Sequence, residues 1–137
     1  MVKLIIGLKG SGKTKALVGL VCKAVDEDTG DVICIEKDRK LTYDIPYKAR
    51  LIDAGSYDIG SYEFLKGFIS GIHAGNYDIT HFFIDNFFKL VDDKSEGSLV
   101  GFIQWLAAYS DKESIEFVIS ISMDPENVPD ELKQYMI

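Results

Sequence analysis

The chain is poor in sulfur and imidazole. Its two cysteines, Cys22 and Cys34, and its two histidines lie at wide, irregular spacing. That excludes every familiar zinc pattern, which needs four such ligands in short paired spacings. The cysteines form no C-x-x-C pair. Each falls in an apolar segment, which predicts small buried side chains rather than a bridge or a metal ligand. Long hydrophobic runs are also missing: no stretch approaches the ~18 apolar residues that span a bilayer, so no membrane insertion is expected. Met1 leads directly into an apolar run, without the charged segment and cleavage site of a signal peptide, and a cytoplasmic protein is expected.

Positive charge is scarce as well. Fifteen lysines and arginines face 22 aspartates and glutamates, a net charge of −7. This argues against a nucleic-acid partner, which calls for a basic stripe. The one tight basic cluster, Lys37, Arg39 and Lys40, reads as a solvated loop. Arginine occurs only at Arg39 and Arg50. No repeat or low-complexity segment appears, and 137 residues form a single domain, 1–137.

What is present is an alternation of apolar strands and amphipathic helices. Met1 to Ile6 and Val32 to Ile35 are short, continuous apolar runs of the kind that form buried parallel strands. Between them, Ala16, Leu17, Leu20, Val21, Ala24 and Val25 recur at helical spacing, ending near Asp26. Arg50 to Asp53 reads as a third, shorter strand, with an antiparallel edge hairpin over Lys40 to Ile45 as the alternative. Ser61 is placed to cap a second helix whose inward stripe is Phe64, Leu65, Phe68, Ile69 and Ile72. Gly67 and Gly71 on that helix are expected to allow close packing on the sheet.

Thr80 to Ile84 makes the next strand and Phe117 to Ser122 the last. Between them lies a helix carrying Leu99, Phe102, Ile103, Leu106 and Ala107, with Ser98 as its expected cap. Trp105 and Tyr109 share another face of that helix, as peripheral packing or, if exposed, a partner surface. Pro129 opens a short terminal helix. The order β-α-β-β-α-β-α-β-α predicts an α/β fold: a three-layer, doubly wound, mainly parallel sheet of about five strands.

Eight residues carry the strongest chemical signal: Gly7, Leu8, Lys9, Gly10, Ser11, Gly12, Lys13 and Thr14, or G-x-x-x-x-G-K-T. With glycine at about 7% of residues, this pattern arises by chance in well under ~1% of chains this long. It follows a strand and opens a helix, the context in which such a loop wraps a polyphosphate with backbone N–H groups. Lys13 would reach the β- and γ-phosphates, and the Thr14 hydroxyl would ligate Mg²⁺. Asp85 ends the Thr80–Ile84 strand at the edge where ligands bind in open α/β sheets, and would face that metal through a water.

Gly7 to Thr14 and Phe82 to Asp85 together resemble the Walker A and Walker B motifs of P-loop NTPases, and the layout is most similar to a RecA-like ATPase core. The resemblance implies Mg²⁺ and ATP as cofactors. It gives Glu36, at the end of the second strand, the place of a catalytic glutamate beside Lys13, and Ser122 the place of a polar sensing residue. Asn86 stands where many relatives of that superfamily carry a second acid. An arginine finger would have to be Arg39 or Arg50 across a homo-oligomer interface, or come from a protein partner.

The function this implies is Mg²⁺-dependent ATP binding with weak hydrolysis of the γ-phosphate. The alternatives are a non-hydrolysing nucleotide-binding regulator or assembly subunit, and a small-molecule kinase. Two arginines are few for a kinase lid. No Asn-Lys-x-Asp motif is present to support a GTP switch.

Overall fold

The computed structural model describes residues 1–137. Five strands form: β1 (Val2–Gly7), β2 (Asp31–Glu36), β3 (Arg50–Asp53), β4 (Ile79–Ile84) and β5 (Glu116–Ser122). Four helices connect or follow them: α1 (Lys13–Glu27), α2 (Tyr62–Ala74), α3 (Glu96–Glu113) and α4 (Asp130–Lys133). All strands are parallel, in the order β1-β5-β4-β2-β3. Every strand therefore ends at the same edge of the sheet, and the loops leaving those ends form one continuous rim.

Strand alternation sends successive side chains to opposite layers. Ile33 and Ile35 of β2 join Phe82, Phe117 and Ile119 in a large core under α2, α3 and α4. Val32 and Cys34 join Phe83 and Val118 in a smaller core under α1. The result is the three-layer, doubly wound architecture expected from the element order. Because β2, β4 and β5 are covered on both faces, their sequences read as continuous apolar runs rather than alternating ones.

The segment 37–49 has no helix, yet it serves as the crossover between the parallel neighbours β2 and β3. Leu41, Ile45 and Ala49 are buried against α1 in the smaller core. Neither strand nor hairpin forms there, so the Arg50–Asp53 strand stands and the edge-hairpin alternative is excluded. At the other edge, the end of the chain lies along β1. Leu4 N–H donates to Tyr135 O (2.8 Å) and Ile137 N–H to Leu4 O (3.0 Å), which satisfies backbone groups that an open strand edge would leave free.

Two helix expectations need correction. On α2 the buried face is Leu65, Ile69 and His73, whereas Phe64 is 46% exposed. Gly67 and Gly71 are also exposed, and a Cβ on either would meet nothing within 4 Å, so they do not bring α2 close to the sheet. Phe68 and Ile72 are partly buried against the large core, so of the expected stripe only Phe64 turns outward. The cap of α3 is Ser95, not Ser98; the Ser98 hydroxyl donates instead to Asp93 (2.5 Å). Ser61 caps α2 as expected, accepting from Phe64 N–H at 3.1 Å.

Trp105 and Tyr109 are half-buried packing residues. Their rings stack at 5.2 Å, Lys66 of α2 lies 5.6 Å over Trp105, and the Tyr109 hydroxyl bonds His73 at 2.8 Å.

Candidate functional site

The chain leaves β1 through residues 8–12, all exposed, and enters α1 at Lys13. Two glycines make that path possible. Gly10 and Gly12 have φ of 83° and 87°, in the left-handed region where a side chain is strained. Gly7 is needed for space: a Cβ there would lie 2.4 Å from Ser11 Oγ. The turn is closed by Ser11 N–H donating to Leu8 O at 3.1 Å. Helix α1 then starts with no side-chain cap and no acidic residue in its first turn. Its first N–H groups and the positive end of its dipole face the loop unneutralised.

Lys13 is buried, and its ammonium folds back to donate to Leu8 O at 2.9 Å. The cation is therefore held inside the curve of the loop rather than extended into solvent. Thr14, the next residue, points across the sheet. Its hydroxyl lies 3.2 and 3.1 Å from the two carboxylate oxygens of Asp85. In the sheet β5 lies between β1 and β4, so α1 must pass over β5 to bring these two residues together.

Asp85 is 3% exposed and makes no ion pair. Its backbone N–H donates to Ile35 O (3.0 Å), which fixes it to the end of β2. Besides Thr14, its carboxylate accepts from Ser120 Oγ (2.5 Å) and Asn86 Nδ2 (3.3 Å). Ser120 is wholly buried in β5 and also accepts from Asn86 N–H at 2.8 Å. Asn86 turns the chain with φ of 50°, a conformation that asparagine tolerates better than most residues.

Ser120 is the residue that sequence reasoning missed. Ser122, given the place of a polar sensing residue, stands exposed at the end of β5 on the rim, while Ser120, inside the strand, makes the contact with Asp85. The available signal was a lone hydroxyl among Val118, Ile119 and Ile121. A buried hydroxyl needs a partner, and here the partner is a carboxylate.

Glu36 ends β2 beside Asp85 and is buried. One of its oxygens accepts from Leu41 N–H at 2.8 Å, and the other accepts from Lys40 N–H. Burial pushes its carboxyl above the usual range, the two N–H groups pull it back, and the charges of Asp85 and Asp38 push it up again. Both oxygens therefore tie down the start of the 37–49 segment. Arg39 pairs with Asp53 at 2.5 Å on the rim, and Arg50 is exposed at the start of β3, the opposite end of that strand from the rim.

Thr14 Oγ1 and the Asp85 carboxylate are hard oxygen donors of the type Mg²⁺ takes, and two protein oxygens suit an ion that keeps most of its water. A buried carboxylate without a cationic partner fits such an ion. No group of three or more His, Cys, Asp or Glu side chains is placed to hold a metal by itself. No helix is long and apolar enough to cross a membrane. No family model matches the sequence, and no curated protein shows significant similarity to it.

Proposed function

We propose that the protein binds a nucleoside triphosphate, with ATP as the first candidate, together with Mg²⁺, and hydrolyses its γ-phosphate slowly. The observation that carries this reading is the start of α1: an uncapped, acid-free helix terminus behind a glycine turn, with a buried lysine ammonium curled into it. Unpaired N–H groups and a fixed cation are what a polyphosphate requires.

In this reading the amides of residues 8–14 bind the phosphates, and Lys13 exchanges its bond to Leu8 O for a phosphate oxygen. Thr14 and Asp85 hold Mg²⁺, which when bound offsets the charge of the β- and γ-oxygens. Glu36 would orient water beside them.

A second reading, binding without turnover, is supported by Glu36, whose two oxygens are both engaged by backbone N–H groups. To accept a water's proton, Glu36 would have to release one of them.

Titration calorimetry with Mg-ATP, alongside a phosphate-release assay, tests both. Lys13→Ala is expected to weaken binding at least ~100-fold, the loss of a charged contact of about 3 kcal/mol. Folded wild-type protein that shows no binding of any nucleoside triphosphate overturns the proposal. Tight binding with no phosphate release selects the second reading.

A further inference from the structure

The segment 37–50 differs from the rest of the molecule in charge and in what it exposes. It holds five of the chain's fifteen cations (Lys37, Arg39, Lys40, Lys48 and Arg50) against two acids, Asp38 and Asp44. Its net charge is +3 in a chain of net −7. Lys40, Lys48 and Arg50 are exposed and form no ion pair. Between the cations stand Tyr43 and Tyr47, 99% and 93% exposed. Two whole aromatic rings left in water contribute nothing to folding, although each carries a large apolar surface.

The rings stand on an anchored base. Leu41, Ile45 and Ala49 are buried beneath them, Glu36 holds the N–H groups of Lys40 and Leu41, and Asp44 and Ile45 both donate to Leu41 O at 3.0 Å. The segment thus turns its aliphatic residues inward and displays its cations and tyrosines, with Asp38, Thr42 and Asp44 exposed among them. A lipid surface calls for apolar side chains to bury, and the lysines of the segment, a residue type depleted from protein interfaces, together with its net positive charge favour a polyanion over a protein partner. The segment matches a ligand that alternates flat apolar faces with negative charges. Single-stranded nucleic acid has that construction, whereas a duplex hides its base faces.

We infer that the 37–50 segment is a binding platform for single-stranded nucleic acid, with Tyr43 and Tyr47 stacking on bases and Lys40, Lys48 and Arg50 contacting the flanking phosphates. The acidic remainder of the molecule repels the strand elsewhere and confines it to this segment. The platform does not depend on nucleotide binding at the α1 terminus.

The test is fluorescence anisotropy of labelled oligothymidylate and oligouridylate, each of about 20 nucleotides. A duplex of the same length and phosphatidylserine vesicles serve as the other arms. Single strands are expected to bind at low salt and to lose affinity between about 50 and 200 mM salt, with a log–log slope of about −2 for three phosphates. Each of Tyr43→Ala and Tyr47→Ala is expected to weaken binding by about tenfold, the value of one stacked base. Circular dichroism melts should be unchanged, since neither ring packs on the core. Lys13→Ala should bind the strand as wild type does. No binding at low salt, equal binding by the double tyrosine variant, equal affinity for the duplex, or binding only to vesicles would each overturn the inference.

Discussion

Asp85 shows how much one carboxylate can depend on its neighbours. A buried acid without a cation is held by three donors from three parts of the chain: Thr14, Ser120 and Asn86. Ser120→Ala removes one donor and leaves Asn86 N–H without its acceptor, at an expected cost of about 1–3 kcal/mol in urea unfolding. Under the proposed function, the Mg²⁺ concentration needed for tight nucleotide binding should rise several-fold, with metal-free affinity unchanged. An unchanged Mg²⁺ dependence would limit Ser120 to a packing role.

Cys34 is the other telling residue. Burial, with the charges of Glu36 and Asp85 adding to it, pushes its thiol up to about 12. Iodoacetamide should therefore spare Cys34 in the native protein and modify only the half-buried Cys22, while both react in denaturant. Mass spectrometry of the alkylated chain distinguishes these outcomes, and rapid native modification of Cys34 would mean that β2 opens readily.

Helix α2 is an element whose sequence contains a removable weakness. Gly67 and Gly71 sit inside the helix, exposed, without positive φ and with open space where a Cβ would stand. Each loses more chain entropy on folding than alanine would, so Gly67→Ala and Gly71→Ala should each raise stability by about 0.5–1 kcal/mol in urea unfolding. A loss instead would show that this face is crowded in solution. The expectation that these glycines face the sheet failed for a physical reason. At about 3.6 residues per turn Phe64, Phe68, Ile72, Leu65 and Ile69 make one stripe, with Gly67 and Gly71 beyond its Phe64 margin, and periodicity alone does not fix which margin of the stripe the sheet covers.

Across the whole molecule, the three neighbouring strands β1, β5 and β4 are fastened at the ends opposite the candidate site. Glu116 of β5 meets Lys3 of β1 at 2.5 Å and His81 of β4 at 3.0 Å. Burial raises the Glu116 carboxyl, but the hydrogen bond from Lys3 and the charges of Lys3 and His81 outweigh it and hold the group below its usual range. A carboxyl depressed on folding contributes stability above its unfolded pKa and loses it as pH falls through the folded value. Glu116→Gln should therefore be less stable than wild type at neutral pH, by up to about 1 kcal/mol for a half-buried pair. The gap should close on acidification below the usual glutamate range. Denaturant melts across pH would show it, and a gap that persists in acid would assign the effect to packing.

The sequence by itself determined most strands and helices, because apolar runs and helical periodicity are properties of adjacent residues, but it left the Arg50–Asp53 strand and a hairpin over Lys40 to Ile45 as alternatives that only the structure separated. It also determined the loop from Gly7 to Thr14, whose chemistry lies in eight consecutive positions, and it placed Asp85 at a strand end. The tertiary structure alone decided the strand order, the buried side of α2, the crossover role of 37–49 and the contact of Ser120 with Asp85. Each of these depends on pairings between residues far apart in the chain, where the free energy lies in shared buried surface and cross-strand hydrogen bonds that no local pattern records. The exposure of Tyr43 and Tyr47 belongs with them. In sequence they resemble any aromatic beside Leu41 and Ile45, and only the packed core fixes which of these neighbours stay outside.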